Sequence, residues 1–208
     1  KAFTDGLSKA EGIEGRLGRR SSMSLINIGY SWIKNRPHNF MWDGKFSSLE
    51  EQIVGGPIED PVEMDNDWET VENVLRQHPS YPQMFRSAFG INCSDEINRQ
   101  LIAKAIAQFE RTLNSAGSRF DEDLWVPFVY LSAQELRGKT LFEGDAAGAT
   151  STKDAECAHC HSFSANKTLF ARNEYSNNGL DSVSNLNDFT DLGLGAITGN
   201  LSQNGQFR

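Results

Sequence analysis

A single C-x-x-C-H, Cys157-Ala158-His159-Cys160-His161, constrains this 208-residue chain more than any other stretch in it. Two cysteines separated by two residues, with histidine next, is the spacing that attaches c-type haem. Each thiol can form a thioether to one porphyrin vinyl group, and the histidine then offers an imidazole nitrogen as axial ligand. Two other chemistries use part of the pattern. A zinc knuckle needs four closely placed ligands, and the remaining candidates, Cys93, His38, His78 and His159, stand at no typical second-pair spacing. A thioredoxin-like redox pair wants a strand-to-helix context, which the Asp/Ala/Gly/Ser/Thr-rich run before Cys157 does not provide. Haem attachment uses every fixed position of the motif.

The chain is long enough to bury a real core, as one large domain or two small ones. Its formal charge of −8 argues against nucleic acid as the main partner and is compatible with a basic protein partner. No run approaches the roughly 18 apolar residues that span a bilayer. The opening Lys1-Ala2-Phe3-Thr4-Asp5-Gly6 reads as mid-domain sequence without a leader. Three cysteines imply no disulfide framework, since Cys93 is left over if the other two hold haem. Covalent haem attachment takes place outside the cytoplasm, so the expected location is the periplasm.

Helical signals dominate from Ser47 onward, and no strand pattern supports a sheet, so the expected class is all-α with long loops. Residues 1–46 have poor periodicity and read as irregular structure, with Arg16, Arg19 and Arg20 free to pair with haem propionates or carboxylates. Capping boxes Ser47 to Glu50, Ser80 to Gln83 and Ser132 to Glu135 each predict the start of a helix. Asp67 predicts one running to about His78, with Val71, Val74 and Leu75 on one face. The longest helix is expected from Ser94 to Leu113, with Ile97, Leu101, Ala105, Phe109 and Leu113, widened by Ile102 and Ile106, facing the core. Asp121, Asp123 and Pro127 read as a loop, 146–152 as a surface loop, and 162–208 as having no clear helix. Gly193-Leu194-Gly195 is too short and wrongly spaced for a phosphate loop.

Separated elements then resemble one family, the bacterial di-haem cytochrome c peroxidases, which also include the methylamine-utilisation haem enzymes. They are Ala2-Phe3-Thr4-Asp5-Gly6, Arg20 to Asn27, Met41-Trp42-Asp43-Gly44-Lys45, Ser48 to Gln52, Gly56-Pro57-Ile58 and Pro61-Val62-Glu63-Met64. Further on come Ala105 to Leu113, Phe120-Asp121, Gly138 to Phe142, Cys157 to His161, and Asp191-Leu192-Gly193. The resemblance implies two cytochrome-c-like haem domains with long irregular loops, both incomplete in this chain. Residues 1–130 would be the remainder of an N-terminal peroxidatic haem domain, whose own C-x-x-C-H lies upstream of Lys1. Residues 131–208 would begin the C-terminal electron-transfer haem domain, with its distal ligand after Arg208.

The implied activity is reduction of hydrogen peroxide to water with electrons from a small cytochrome c or cupredoxin. A related oxidase acting on another substrate and a plain electron-transfer cytochrome stay open, and a homodimer is a candidate assembly. By resemblance Glu63 is the distal-pocket acid/base, Gln52 a second polar residue of that pocket, and Trp42 the aromatic between the haems. Cys157 and Cys160 match the thioether cysteines and His161 the proximal iron ligand. Ser21 stands where an Arg-Asn pair is usual, which puts calcium in question, although Asn27 remains a candidate ligand. Residues 3–20 contain no histidine, implying that the intact enzyme needs no histidine release for activation. Tyr30 to Phe40 is longer than usual and Gly55-Gly56 has an extra glycine. The chain alone, with one attachment motif, is expected to be inactive.

Overall fold

A computed structural model describes residues 3–31, 40–127, 129–144, 155, 157–161, 169–171, 174–181 and 183–208. The described residues hold α-helices and short 3-10 turns, with isolated bridges but no named strand. The helices are α1 (Leu49–Gly55), α2 (Trp68–Gln77), α3 (Tyr81–Phe89), α4 (Arg99–Glu110), α5 (Arg119–Trp125), α6 (Ala133–Glu143) and α7 (Leu194–Thr198). Among the described residues no helix is long and apolar enough to cross a membrane.

Two compact units emerge. One joins Lys1–Leu113 to Tyr175–Arg208, and the other is Asn114–Glu174. This division does not coincide with the 130/131 boundary expected from the sequence. The last segment returns to the first unit through Arg20 on Asp191 and through the Arg208 amide on the Trp42 carbonyl. Pairings across 171 residues leave no trace in local pattern.

The first unit has its core where α1 lies on α4. Leu49, Ile53, Ile58, Trp68, Phe85, Ile97, Ile102, Ala103 and Ala107 are buried together. Each large apolar side chain removed from water stabilises the fold by about 1.5–3 kcal/mol. Asp67 caps α2 by accepting from Thr70, as expected, whereas α1 is capped one residue later than the Ser47 box implies, by Ser48 accepting from the Glu51 amide. In α2, Val71 and Leu75 pack on the core while Val74 faces solvent.

The long helix expected from Ser94 is split. Ser94–Glu96 is a 3-10 turn, and Asn98 caps α4 by accepting from Gln100 and Leu101. Asn98 wins because its carboxamide can reach both orphan amides of the first turn. The core face moves with it. Ile102, Ala103, Ala107 and Glu110 point inward, whereas Ala105, Ile106 and Phe109 are exposed.

In the second unit, Ser118 and Asp121 form a reciprocal capping box for α5, where the sequence reads as loop. The short side chain of Asp121 does there what Glu or Gln usually does. Ser132 and Glu135 cap α6 as expected. Arg119 then ties the two helices, donating to both Glu135 oxygens at 2.8 and 2.7 Å and to the Tyr130 carbonyl. The 146–152 loop lies outside the described residues. So does most of the Tyr30 to Phe40 stretch.

Candidate functional site

In the second unit the C-x-x-C-H occupies a tight turn. Cys157–His159 is 3-10, and the Cys160 and His161 amides donate back to the Cys157 carbonyl at 3.2 and 2.8 Å. The residue two before Cys157 is pinned by the Ala155 amide on the Leu141 carbonyl at the end of α6. Cys157 and Cys160 are free thiols, half-exposed and exposed. Nδ1 of His161 lies 3.0 Å from the Phe170 carbonyl oxygen. A carbonyl can only accept, so this bond puts the proton on Nδ1 and leaves Nε2 as a lone-pair donor. Iron-ligating histidines are oriented in this way.

Phe170 also lines a cavity of about 290 Å³ with Phe120, Leu131, Glu135, Gly138, Lys139 and Phe142. Its ring lies 5.3 Å from that of Phe120 and 5.6 Å from that of Phe142, edge-on to the latter. The residues suit haem c in kind: an aromatic wall reaches through the Phe170 carbonyl to an oriented imidazole, and two free thiols lie on the same turn as that imidazole. Lys139, held at the wall by the buried Asp123 at 3.5 Å, supplies one cation there. Among the described residues no group of three or more His, Cys, Asp or Glu could hold a metal ion.

The first unit carries Trp42 on the loop after Met41, Gln52 on α1 and Glu63 on the loop that follows Asp60. Glu63 sits on a knotted loop in which Asp60 accepts from the Val62 and Glu63 amides, at 2.8 and 3.1 Å. The Ile13 amide bridges the Val62 and Glu63 carbonyls, and Gly12 packs so close that a Cβ there would sit 1.8 Å from the Val62 oxygen. Arg16 braces the same loop, donating to the Pro61 carbonyl and to Asp65. Among the described residues the Glu63 carboxyl has no hydrogen-bond partner. Surrounding protein raises its pKa above the ordinary value, the Asp60 charge adds to this, and Lys45 opposes it. Glu63, although it reaches solvent, therefore keeps its proton to higher pH than an ordinary carboxyl.

Gln52 lies on α1 with a buried Oε1 that has no hydrogen-bond partner among the described residues. Such an atom calls for a ligand or water. The adjoining Gly56 is needed because a Cβ there would fall 2.5 Å from the Gln52 carbonyl oxygen. Half-buried Trp42 donates its indole N–H to the Ser21 carbonyl at 2.8 Å. Lys45, three residues on, links this loop electrostatically to Glu63, and Phe46 packs against Gly55 at the end of α1.

Of the arginines singled out in the sequence, Arg16 and Arg20 meet carboxylates of the chain itself. Asn27 has a left-handed backbone, φ 62°, and donates its amide to the Leu113 carbonyl at 2.8 Å. The Ser21 carbonyl is taken by Trp42. Sequence reasoning missed Glu110, buried on α4 with an unpartnered Oε2 and a pKa raised by burial. The one available signal was its place, three residues after Ala107 on the inward face.

An all-helical scaffold with an oriented imidazole, paired thiols and an apolar cavity defines a c-type cytochrome architecture. Residues 1–125 match the family described as di-haem cytochrome c peroxidase, and the chain belongs to that family. It is 33% identical over 158 residues to a cytochrome c551 peroxidase of Nitrosomonas europaea, covering 76% of this chain and 41% of that protein. It is 32% identical over 160 residues to the methylamine utilization protein MauG of Methylorubrum extorquens, covering 77% and 40%. A MauG-like protein associated with microbial copper homeostasis superposes with a TM-score of 0.74 at 27% identity, over 100% of this chain and 59% of that one. The chain thus spans about two-fifths of the length of these curated relatives.

Proposed function

We propose that the intact protein is a di-haem cytochrome c peroxidase of the periplasm. It reduces hydrogen peroxide to two waters, consuming two protons and two electrons from a small cytochrome c or cupredoxin. Residues 131–208 would begin its electron-transfer domain and residues 1–130 the rest of its peroxidatic domain. The observation that carries the reading is Glu63, an unpartnered carboxyl held above its ordinary pKa on a braced loop. When bound, haem c supplies the redox-active iron that accepts electrons and holds peroxide.

The chain's own residues do the rest. Glu63 takes the proton from one peroxide oxygen and returns it to the other, so that the oxygen that departs leaves as water. The buried Gln52 Oε1 accepts a hydrogen bond from peroxide or product water. Trp42 assists electron passage between the haem sites. Cys157 and Cys160 would hold the electron-entry haem by thioethers, and the lone pair on His161 Nε2 would be offered to its iron. Asn27 is the candidate ligand should calcium bind, and a homodimer is the candidate assembly.

Turnover of the full-length, haem-loaded protein with peroxide and a reduced cytochrome tests this. Glu63→Gln should lower kcat/KM by about 10²–10⁴-fold, the range general acid–base groups contribute. Cytochrome oxidation that peroxide does not accelerate would reject the peroxidase. The likeness to MauG favours a second reading, oxidation of another substrate on the same site. Peroxide consumption that stays uncoupled from cytochrome oxidation would select it. Electron exchange without any peroxide reaction would leave a plain cytochrome.

A further inference from the structure

The first unit contains an ionic clamp that neither the proton chemistry nor the haem motif uses. Arg20 donates through Nε and Nη2 to both oxygens of Asp191, each at 2.7 Å, and through Nη1 to Asp43, also at 2.7 Å. The guanidinium lies over the Phe207 ring, 5.2 Å from its centroid. All three charged side chains are largely shielded, Arg20 at 27%, Asp43 at 14% and Asp191 at 28% exposure. Salt screens such a pair less than one on the open surface. Asp43 directly follows Trp42, and Ser21, whose carbonyl takes the indole N–H, directly follows Arg20.

We propose that Arg20 is a positioning residue for electron transfer, fastening the Trp42 loop to the segment after the haem motif and thereby fixing the indole. This rests on the reading of Trp42 as the electron bridge. The loop needs outside support. Met41 adopts φ 70° without being glycine, Gly44 follows at φ 73°, and the Gly44 amide donates to the Met41 carbonyl at 3.2 Å. Such backbone persists only where its surroundings over-determine it. Three ties do so here: the indole to Ser21, Asp43 to Arg20, and the Trp42 carbonyl to the Arg208 amide at 3.0 Å. Two of them lead to the 175–208 segment, because Arg20 spends its other edge on Asp191. Only a planar fork reaches a carboxylate with two bonds and a second carboxylate with a third. Lysine, a point charge, holds one or the other. Rotation of the indole away from Ser21 must therefore break a hydrogen bond whose acceptor is chained to the clamp.

The test uses the intact di-haem protein. Arg20→Ala, Arg20→Lys and Asp191→Asn are each made alone and on Trp42→Phe. Three quantities are read: the inter-haem electron-transfer rate, both midpoint potentials, and the ultraviolet resonance Raman band that reports indole hydrogen bonding. Arg20→Ala and Asp191→Asn should slow transfer by about 10- to 100-fold, as small misplacements do. Potentials should stay put, and the Raman band should move toward a weaker hydrogen bond. Arg20→Lys should fall between. On Trp42→Phe no further slowing is expected. Equal slowing in both backgrounds would show that Arg20 acts on its own and overturn the inference. So would a wild-type rate and Raman band in Arg20→Ala or Asp191→Asn. If Trp42→Phe alone leaves the rate unchanged, the bridge itself fails and the inference with it. If Trp42→Phe slows transfer and the clamp variants do not, the inference alone falls. Should Arg20→Ala not fold, the isosteric Asp191→Asn carries the test.

Discussion

The two units secure their functional residues by opposite means. In the second, the haem motif is held by neighbours in sequence: Cys157 and His161 share a turn, His161 leans on Phe170, and Ser132 and Ser118 cap the adjoining helices. In the first, the Glu63 and Trp42 loops are held from far along the chain, by Arg16, Gly12, Arg20 and Arg208. A covalently bound group needs only a rigid local turn and an apolar wall. An acid that must trade protons needs a pocket whose charges are set by several segments at once. Local devices should therefore fail locally, and the distributed site should answer to distant charges.

The largest effect belongs to the local anchor. Cys157→Ala with Cys160→Ala should abolish covalent haem at this motif while leaving the other haem of the intact protein loaded. The intact mass should fall by roughly 0.6 kDa, one haem c, with a matching drop in the pyridine haemochrome. Retention of both covalent haems would remove the motif from the attachment chemistry.

Next comes the distributed site, read through pH. Glu63 must be ionised to take a proton, and its pKa is raised by burial first and Asp60 second, with Lys45 pulling it down. The acid limb of kcat/KM should therefore lie above the ordinary carboxylate range near 4.3. Asp60→Asn removes a like charge and should move that limb to lower pH. Lys45→Met removes the opposing cation and should move it higher. Limbs that stay in place in both variants would mean that another group titrates.

Glu110 sharpens the contrast as a matter of stability. Its neighbour Arg111 is committed to Glu50, at 2.8 and 3.0 Å, and among the described residues the buried Glu110 Oε2 has no hydrogen-bond partner. Burial raises its pKa first, Arg111 lowers it, and Glu50 raises it. As pH climbs past the unfolded value, the unfolded chain releases this proton before the fold does. Stability then falls with rising pH until the raised folded pKa is passed. Glu110→Gln should flatten that decline and raise the midpoint of thermal unfolding at pH 8, by an amount matching about 1–3 kcal/mol, while changing little at pH 4. A decline of unchanged slope would assign it to other groups.

What could be read from the sequence follows the same divide. The haem motif, the family elements and the caps at Asp67 and Ser132 are contiguous patterns, and each was legible, while the cap of α1 fell one residue beyond the Ser47 box, on Ser48. The capping box of α5 escaped because Asp121 stands in for the usual Glu, and the start of α4 moved because Asn98 outcompeted Ser94. Arg20 was visible as a candidate for carboxylates, but its partners at 23 and 171 residues' distance were not. The return of 175–208 to the first unit escaped for that reason. The inward turn of Glu110 escaped because an acid on an apolar face is not what periodicity looks for.

The smallest effect tests how far a local pattern can be trusted. Ser80-Tyr81-Pro82-Gln83 and Ser132-Ala133-Gln134-Glu135 carry the same signature, a serine followed three residues later by Gln or Glu. At Ser132 the box closes. Its Oγ accepts from the Glu135 amide at 3.3 Å, and Glu135 Oε2 accepts from the Ser132 amide at 2.7 Å and also holds Arg119. At Ser80 it does not. The side chain makes no cap bond, the Ser80 amide turns to His78 Nδ1, and Gln83 accepts from Arg86. Proline at the second helical position already removes one of the donors a cap would satisfy. Ser132→Ala should thus cost about 1 kcal/mol and speed hydrogen exchange in the first turn of α6. Ser80→Ala should leave both stability and exchange in α3 within about 0.5 kcal/mol of wild type. Equal losses at the two serines would mean that the signature alone, and not the closed box, sets the stability of these helix starts.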